Sequence, residues 1–175
     1  MEARRLLERS VALDPRFATA LAQLTFANVW EMVFGRADAT EKKIADTLAT
    51  ARRAVELDPR DPFAQAALGW AYLTAGDGRN GLDAAQRAVD LNPSMPEAWN
   101  WLGWAKLVSG DPEACIAATE RARRLNPQGY VAGTTPDDNL AAAYWESGQY
   151  QLGLEAGRRL VAALPGYYWG YVYVA

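Results

Sequence analysis

Apolar residues recur along this chain at intervals of three and four, and the runs are cut at regular points by Gly, Asp and Pro. One such run starts at Asp61-Pro62. There the aspartate reads as an N-cap and the proline as the first helical residue, where its missing N–H costs nothing. Helical spacing then continues through Leu68, Tyr72 and Leu73 to Ala75-Gly76, whose glycine can take the left-handed conformation that ends a helix. A second helix is predicted from about Asn80 to Leu91, stopped by Asn92-Pro93. The next stretch repeats this grammar. Ser94-x-x-Glu97 has the spacing of a capping box with Pro96 in the first turn, and Gly110-Asp111-Pro112-Glu113 ends one helix and begins another. A further helix opens at Thr135-Pro136-Asp137-Asp138 and turns at Ser147-Gly148. No segment shows the strict alternation of a half-buried strand, so the expected fold is all-α.

The helix pairs are copies of one unit. VALDP ends at Pro15, VELDP at Pro59, VDLNP at Pro93, RRLNP at Pro127 and VAALP at Pro165. The gaps between these prolines are 44, 34, 34 and 38 residues, so two equal periods are flanked by units enlarged by ten and by four. Internal periods of this length signal stacked helical repeats, each unable to bury its apolar face alone.

Trp99-Asn-Trp-Leu102-Gly103 resembles the opening of the tetratricopeptide (TPR) signature, Leu68-Gly69-x-x-Tyr72 resembles its middle, and the closing Leu-Asp/Asn-Pro resembles its end. The physical logic fits. Gly beside Leu lets the paired helix approach closely, while the large residues fill the space between helices. The chain departs from the signature at Lys106, and at Ala51, Ala85 and Thr119 where a phenylalanine is usual. The resemblance implies a right-handed superhelical array of antiparallel helix hairpins. More narrowly, it is similar to TPR regions of bacterial multidomain regulators such as adenylyl cyclase-like proteins.

In that register residues 1–15 are the second helix of a truncated repeat and 16–59 a repeat with a long insertion. Residues 60–93 and 94–127 are regular repeats, and 128–165 a repeat with a short insertion. Residues 166–175 are the first helix of a further truncated repeat. Terminal repeats need polar caps, whereas Tyr167, Tyr168, Trp169, Tyr171 and Tyr173 crowd the last one. The expectation is a fragment of a longer protein.

Composition narrows the chemistry. With 18 basic and 21 acidic residues, the chain lacks the excess cation that nucleic-acid binding rests on. It contains no His and a single Cys, so neither an internal disulfide nor a Cys/His metal site can form, and no cofactor is expected. No apolar run approaches the roughly 18 residues of a membrane helix. MEARRLLERS has no signal core, so a cytoplasmic location is expected, or a periplasmic one if a leader has been lost. Cys115 falls on a small buried position with no His to activate it. The expectation is therefore no enzyme.

In the resembled family the first helices line the concave face and bind a protein or peptide. Carried onto this chain, Phe26, Trp70 and Trp104 are equivalent, each two residues after the Leu of its unit. Val29 with Trp30, Leu73, Leu107 and Trp145 lie one turn on. Phe63 and Asn100 complete the surface. These rings either offer a groove for an apolar or amphipathic segment or pack between neighbouring first helices. Members that clamp a carboxylate use Lys, Asn and Arg on this face, where the present chain offers Asn100 alone.

Three further features remain. Gly76 to Gly81 spell G-x-G-x-x-G, but a helix precedes them where a dinucleotide site needs a strand. Arg9, Arg53, Arg87, Arg121 and Arg159 recur at one place in every second helix and read as a solvated face. There Asp83 with Arg87 and Glu155 with Arg159 have the favourable i, i+4 order. The insertions at 32–46 and 128–135 read as binding loops or as plain spacers. The leading expectation is a scaffold that takes a peptide or helix in an aromatic groove. The alternative is a regulatory or self-association module of a larger signalling protein, joined through the aromatic C-terminal end.

Overall fold

Residues 2–33, 37–127 and 135–175 are described by a computed structural model, and among them every regular element is a helix. In chain order these are α1 (Glu2–Leu13), α2 (Ala18–Val33), α3 (Glu41–Leu57), α4 (Pro62–Thr74), α5 (Gly78–Leu91), α6 (Pro96–Val108), α7 (Pro112–Leu125), α8 (Pro136–Glu146), α9 (Tyr150–Ala163) and α10 (Tyr168–Val172).

Local chemistry explains most of the boundaries. The carboxylates of Asp61, Asp77 and Asp111 accept from the backbone N–H of Phe63, Asn80 and Ala114, and Thr40 does the same for Lys43. Gly76, Gly110 and Gly148 end α4, α6 and α8 with φ of 79°, 80° and 76°. Each closes a Schellman turn. In the first, Gly76 N–H donates to the Leu73 carbonyl and Asp77 N–H to that of Tyr72. Asp77 and Asp111 therefore finish one helix with their backbone and start the next with their side chain, which accounts for such short hairpin turns.

Two boundaries differ from expectation. Met95, not Ser94, is the N-cap residue of α6, with Pro96 at the first helical position. The helix expected from Asn80 begins at Gly78, because Asp77 caps it two residues earlier.

The chain divides into two compact units, Met1–Asn92 and Pro93–Ala175, separated at the end of the VDLNP phrase. In the first, α2–α3 and α4–α5 are antiparallel hairpins, α1 packs on α2, and α4 packs on both α2 and α3. Its core holds Leu21, Ala22, Ala54, Ala64 and Ala67 in one cluster, and Val29, Met32, Ala51 and Ala71 in another. In the second unit α6–α7 and α8–α9 are the hairpins, α8 packs on α6 and α7, and α10 lies on α9. Leu107, Cys115 and Ala143 form one cluster there, and Leu140, Ala141 and Ala156 the other.

The alanine-rich seams bring helices into backbone contact. A Cβ added at Gly69 would stand 3.0 Å from the Gly81 carbonyl oxygen and 3.1 Å from the Ala85 nitrogen. At Gly103 the same atom would collide with the Thr119 hydroxyl. The smaller residues at Ala85 and Thr119, where the family signature has a phenylalanine, thus fit helices set closer than a ring would allow.

A link that helical periodicity gave no hint of joins successive repeats. Gln65, Trp99 and Tyr171 each donate a side-chain hydrogen bond to the carbonyl of the proline six residues earlier, at 3.1, 2.8 and 3.0 Å. Three different donors serve one acceptor, and the only signal in the sequence was their common distance from the proline.

The long insertion is partly absorbed by lengthening helices. α2 and α3 have 16 and 17 residues, against 13 and 14 in α4 and α5. Residues 34–36 of that insertion, and 128–134 of the second, lie outside the described residues.

Candidate functional site

In the first unit, first-helix rings meet across α2 and α4. Leu21, Ala22, Ala64 and Ala67 are the buried floor, and Phe26 and Phe63 stand on it half-buried. The Phe26 ring lies 4.7 Å from Phe63 and 5.5 Å from Trp70, and Trp70 lies 6.2 Å from Trp30, edge-on. Four of the rings singled out in the sequence are therefore brought into one connected row. Tilted and edge-to-face pairs at these separations add about 0.5–1.5 kcal/mol each beyond area burial, so the rings hold one another in place. Packing between neighbouring first helices and a partly exposed outer surface coexist in the same rings.

This row is nearly free of charge. α2 and α4 carry one ionisable acid or base between them, Glu31, and it is engaged by Arg4 at 3.1 Å. Leu73, from the last turn of α4, is placed differently. It leans over Gly81, where an added Cβ would come within 2.7 Å of its Cδ2, so it serves the α4–α5 seam rather than the ring row.

The second unit departs further from expectation. Asn100 is only 2% exposed, and its carbonyl and side-chain oxygens both accept from the Asn139 amide, at 2.7 and 3.1 Å. Buried in this way between α6 and α8, the side chain is a packing element out of reach of a peptide carboxylate. Leu107 is likewise buried, against Cys115 and Ala143, with Trp104 half-buried at the edge of that cluster. These placements correct the sequence reading of Asn100 and Leu107 as groove residues. The cause is α8, which approaches α6 closely enough to cover them. Trp145 is exposed and meets Tyr150 in a tilted pair at 5.0 Å, with its indole lying over Gly153. Leu73 over Gly81 and Trp145 over Gly153 are thus the same seam position in two hairpins.

The polar features resolve as follows. Cys115 is fully buried and desolvation pushes its thiol up to about 12, which leaves no thiolate at neutral pH. Arg9, Arg53, Arg87, Arg121 and Arg159 are all exposed. Arg53 pairs with Glu56 at 3.1 Å. Arg159 reaches Asp137 of α8 at 2.8 Å instead of Glu155, which accepts from Gln151. Among the described residues Asp83 and Arg87 form no ion pair. Gly76 and Asp77 form the α4–α5 turn and Gly78 to Gly81 open α5, so a helix precedes the motif, the wrong setting for a dinucleotide. Among the described residues no group of three or more His, Cys, Asp or Glu is placed to hold a metal ion, and no helix is long and apolar enough to cross a membrane.

The C-terminal segment was noted in the sequence only as an aromatic end, and its side chains divide into two sets. Tyr168, Trp169, Tyr171 and Val172 face outward, exposed. Tyr167 donates its hydroxyl to Asp138 at 2.8 Å, and Tyr173 packs on the Leu140, Ala141 and Ala156 cluster.

No family model matches the chain, and neither does any curated protein. Solved structures do. The MamA protein is 21% identical, with 93% of this chain and 81% of that one aligned and a TM-score of 0.59. TTC0263, described as a thermophilic TPR protein of Thermus thermophilus, is 18% identical over 97% of this chain and 85% of its own, with a TM-score of 0.73. The Cut9–Hcn1 hetero-tetramer of the APC/C gives 18% identity and a TM-score of 0.76, over 99% of this chain and 32% of that one. At such identities the likeness is one of fold: stacked antiparallel helix hairpins of the TPR kind.

Proposed function

We propose, from this TPR-type fold, that the chain is a protein-interaction scaffold and that the Phe26, Phe63, Trp70 and Trp30 row receives an apolar or amphipathic peptide or helical segment. The connected row of half-buried rings is the observation that carries the reading. Aromatic residues bury much area with few rotors, and preorganised anchors of this kind supply most of the energy in protein interfaces. The nearly uncharged setting favours a partner whose contacting face is itself apolar.

The test takes a partner captured by the intact chain, purifies it, and titrates it calorimetrically against wild type, Phe26→Ala and Trp70→Ala, with helicity followed by circular dichroism. Loss of a hot-spot ring is expected to weaken binding by at least about 30-fold, the equivalent of 2 kcal/mol. Trp70→Leu keeps apolar volume against Ala71 and Met32 while removing the ring pairs, and covers the case in which the alanine variant unfolds. Unchanged affinity in all three variants rules the reading out.

The outward rings of α10 support a second reading, self-association within a larger regulatory protein. Sedimentation of the wild type against Trp169→Ser and Tyr171→Ser decides it: a concentration-dependent oligomer lost in the variants favours it, and a monomer throughout removes it.

A further inference from the structure

The row of rings in the first unit is two pairs joined in the middle. Phe26 meets Phe63 at 4.7 Å, Trp30 meets Trp70 at 6.2 Å, and Phe26 joins the pairs through Trp70 at 5.5 Å. Rings at these separations touch, so no hole is left between neighbours. A helical ligand needs such holes, because its branched side chains dock as knobs set between residues of the facing surface. The row presents instead a run of tilted ring surfaces, on which flat pyrrolidine rings pack without entering a hole.

The row also carries a donor. Among the described residues the Trp70 indole N–H donates to no protein acceptor. Among those residues, too, the one buried side-chain nitrogen or oxygen without a partner is the Thr135 hydroxyl, so the Trp70 N–H opens outward. An α-helix uses its carbonyls on its own N–H groups. Polyproline II has no internal hydrogen bonds and keeps its carbonyls available to such a donor.

Charge points the same way. α2 and α4 carry one ionisable acid or base between them, Glu31, which Arg4 engages at 3.1 Å. A charged ligand side chain brought onto this strip would lose hydration and meet no counter-charge, so the complementary segment is uncharged.

From these three features we infer that the occupant of the row is an uncharged, proline-rich segment in the polyproline II conformation, with the Trp70 indole N–H donating to one of its carbonyls. The inference rests on the scaffold reading and narrows its ligand to one class. Spacing accommodates it. Phe63 and Trp70 lie on one helix, α4, at a separation of about 10 Å along the axis. One turn of polyproline II advances about 9 Å, so prolines a turn apart fall on the Phe26–Phe63 pair and on the Trp30–Trp70 pair. A helical ligand repeats at a similar interval. The filled gaps, the outward N–H and the absence of charge are what favour proline.

The experiment titrates the intact, nitrogen-15-labelled chain with capped decaproline and, separately, with an amphipathic helical peptide that has a leucine face. NMR follows the tryptophan indole N–H signals. Decaproline is expected to shift those of Trp70 and Trp30 and to leave those of Trp145 and Trp169 in place. Trp70→Phe keeps a ring and removes the N–H, and should weaken decaproline by about 2- to 12-fold, the net worth of one hydrogen bond. Trp70 and Trp30 signals unmoved by decaproline, or undiminished affinity in Trp70→Phe, would overturn the inference. A helical peptide that shifts these signals where decaproline does not would overturn it too, while leaving the scaffold reading in place. Failure of both peptides also overturns it, and the captured partner then tests the scaffold reading independently. If Trp70→Phe does not fold, the wild-type titration still decides.

Discussion

Gly69 is where the close packing of this fold can be tested most sharply. In isolation Gly→Ala within a helix is favourable, by about 0.8–1.0 kcal/mol in intrinsic propensity. At Gly69 the added methyl would stand 3.0 Å from the Gly81 carbonyl oxygen and 3.1 Å from the Ala85 nitrogen, both backbone atoms with no side chain to swing aside. Relief to ordinary contact requires α4 and α5 to part by about half an ångström. A gap of that size already forfeits about a quarter of the dispersion well for each facing pair. Overpacking of this kind costs about 1–3 kcal/mol, so a net loss of up to about 2 kcal/mol is expected once propensity is credited. For a unit of this size that is a fall in midpoint of up to about 16 °C.

Gly78→Ala is the control. The site has open space around it and an ordinary φ, so the same substitution there should be neutral or stabilising, by up to about 1 kcal/mol. Both variants are followed by thermal and urea unfolding with far-ultraviolet circular dichroism. A Gly69→Ala protein at least as stable as wild type would refute the backbone contact across α4 and α5.

Two predictions concern the second unit. Asn139→Ala removes both amide hydrogen bonds to Asn100 in a buried site, and should cost about 1–3 kcal/mol in urea unfolding; an effect below about 0.5 kcal/mol would mean the pair is not buried as described. Cys115, its thiol held up to about 12 under the α6–α8 cluster, should be inert to thiol reagents at pH 8 in the native protein and react at once in denaturant. Rapid native labelling would show that the α7–α8 packing opens.

What the sequence determined by itself was whatever is settled within a turn or two of helix. Proline at the first helical position, aspartate caps at Asp61, Asp77 and Asp111, and glycines at Gly76, Gly110 and Gly148 act over three to six residues, and the five Leu-Asp/Asn-Pro-like phrases fix the period. The hairpins and the all-α class follow from those alone. Ser94 misplaced the start of α6 by one residue, because Pro96 fits the first helical position and puts Met95 at the cap.

Which way an amphipathic side chain points was beyond that range. Asn100 and Trp70 belong to equivalent first helices, yet one is sealed under α8 by Asn139, 39 residues away, and the other joins a half-open row of rings. Arg159 had an acid at the right helical spacing and chose Asp137 on α8. Asp138 and Tyr167 meet across 29 residues with no periodic signal between them. Helical periodicity says that a face is to be covered. Only the neighbouring helix, placed by close Gly and Ala seams such as Gly69 on Gly81, decides what covers it and what is left for a partner.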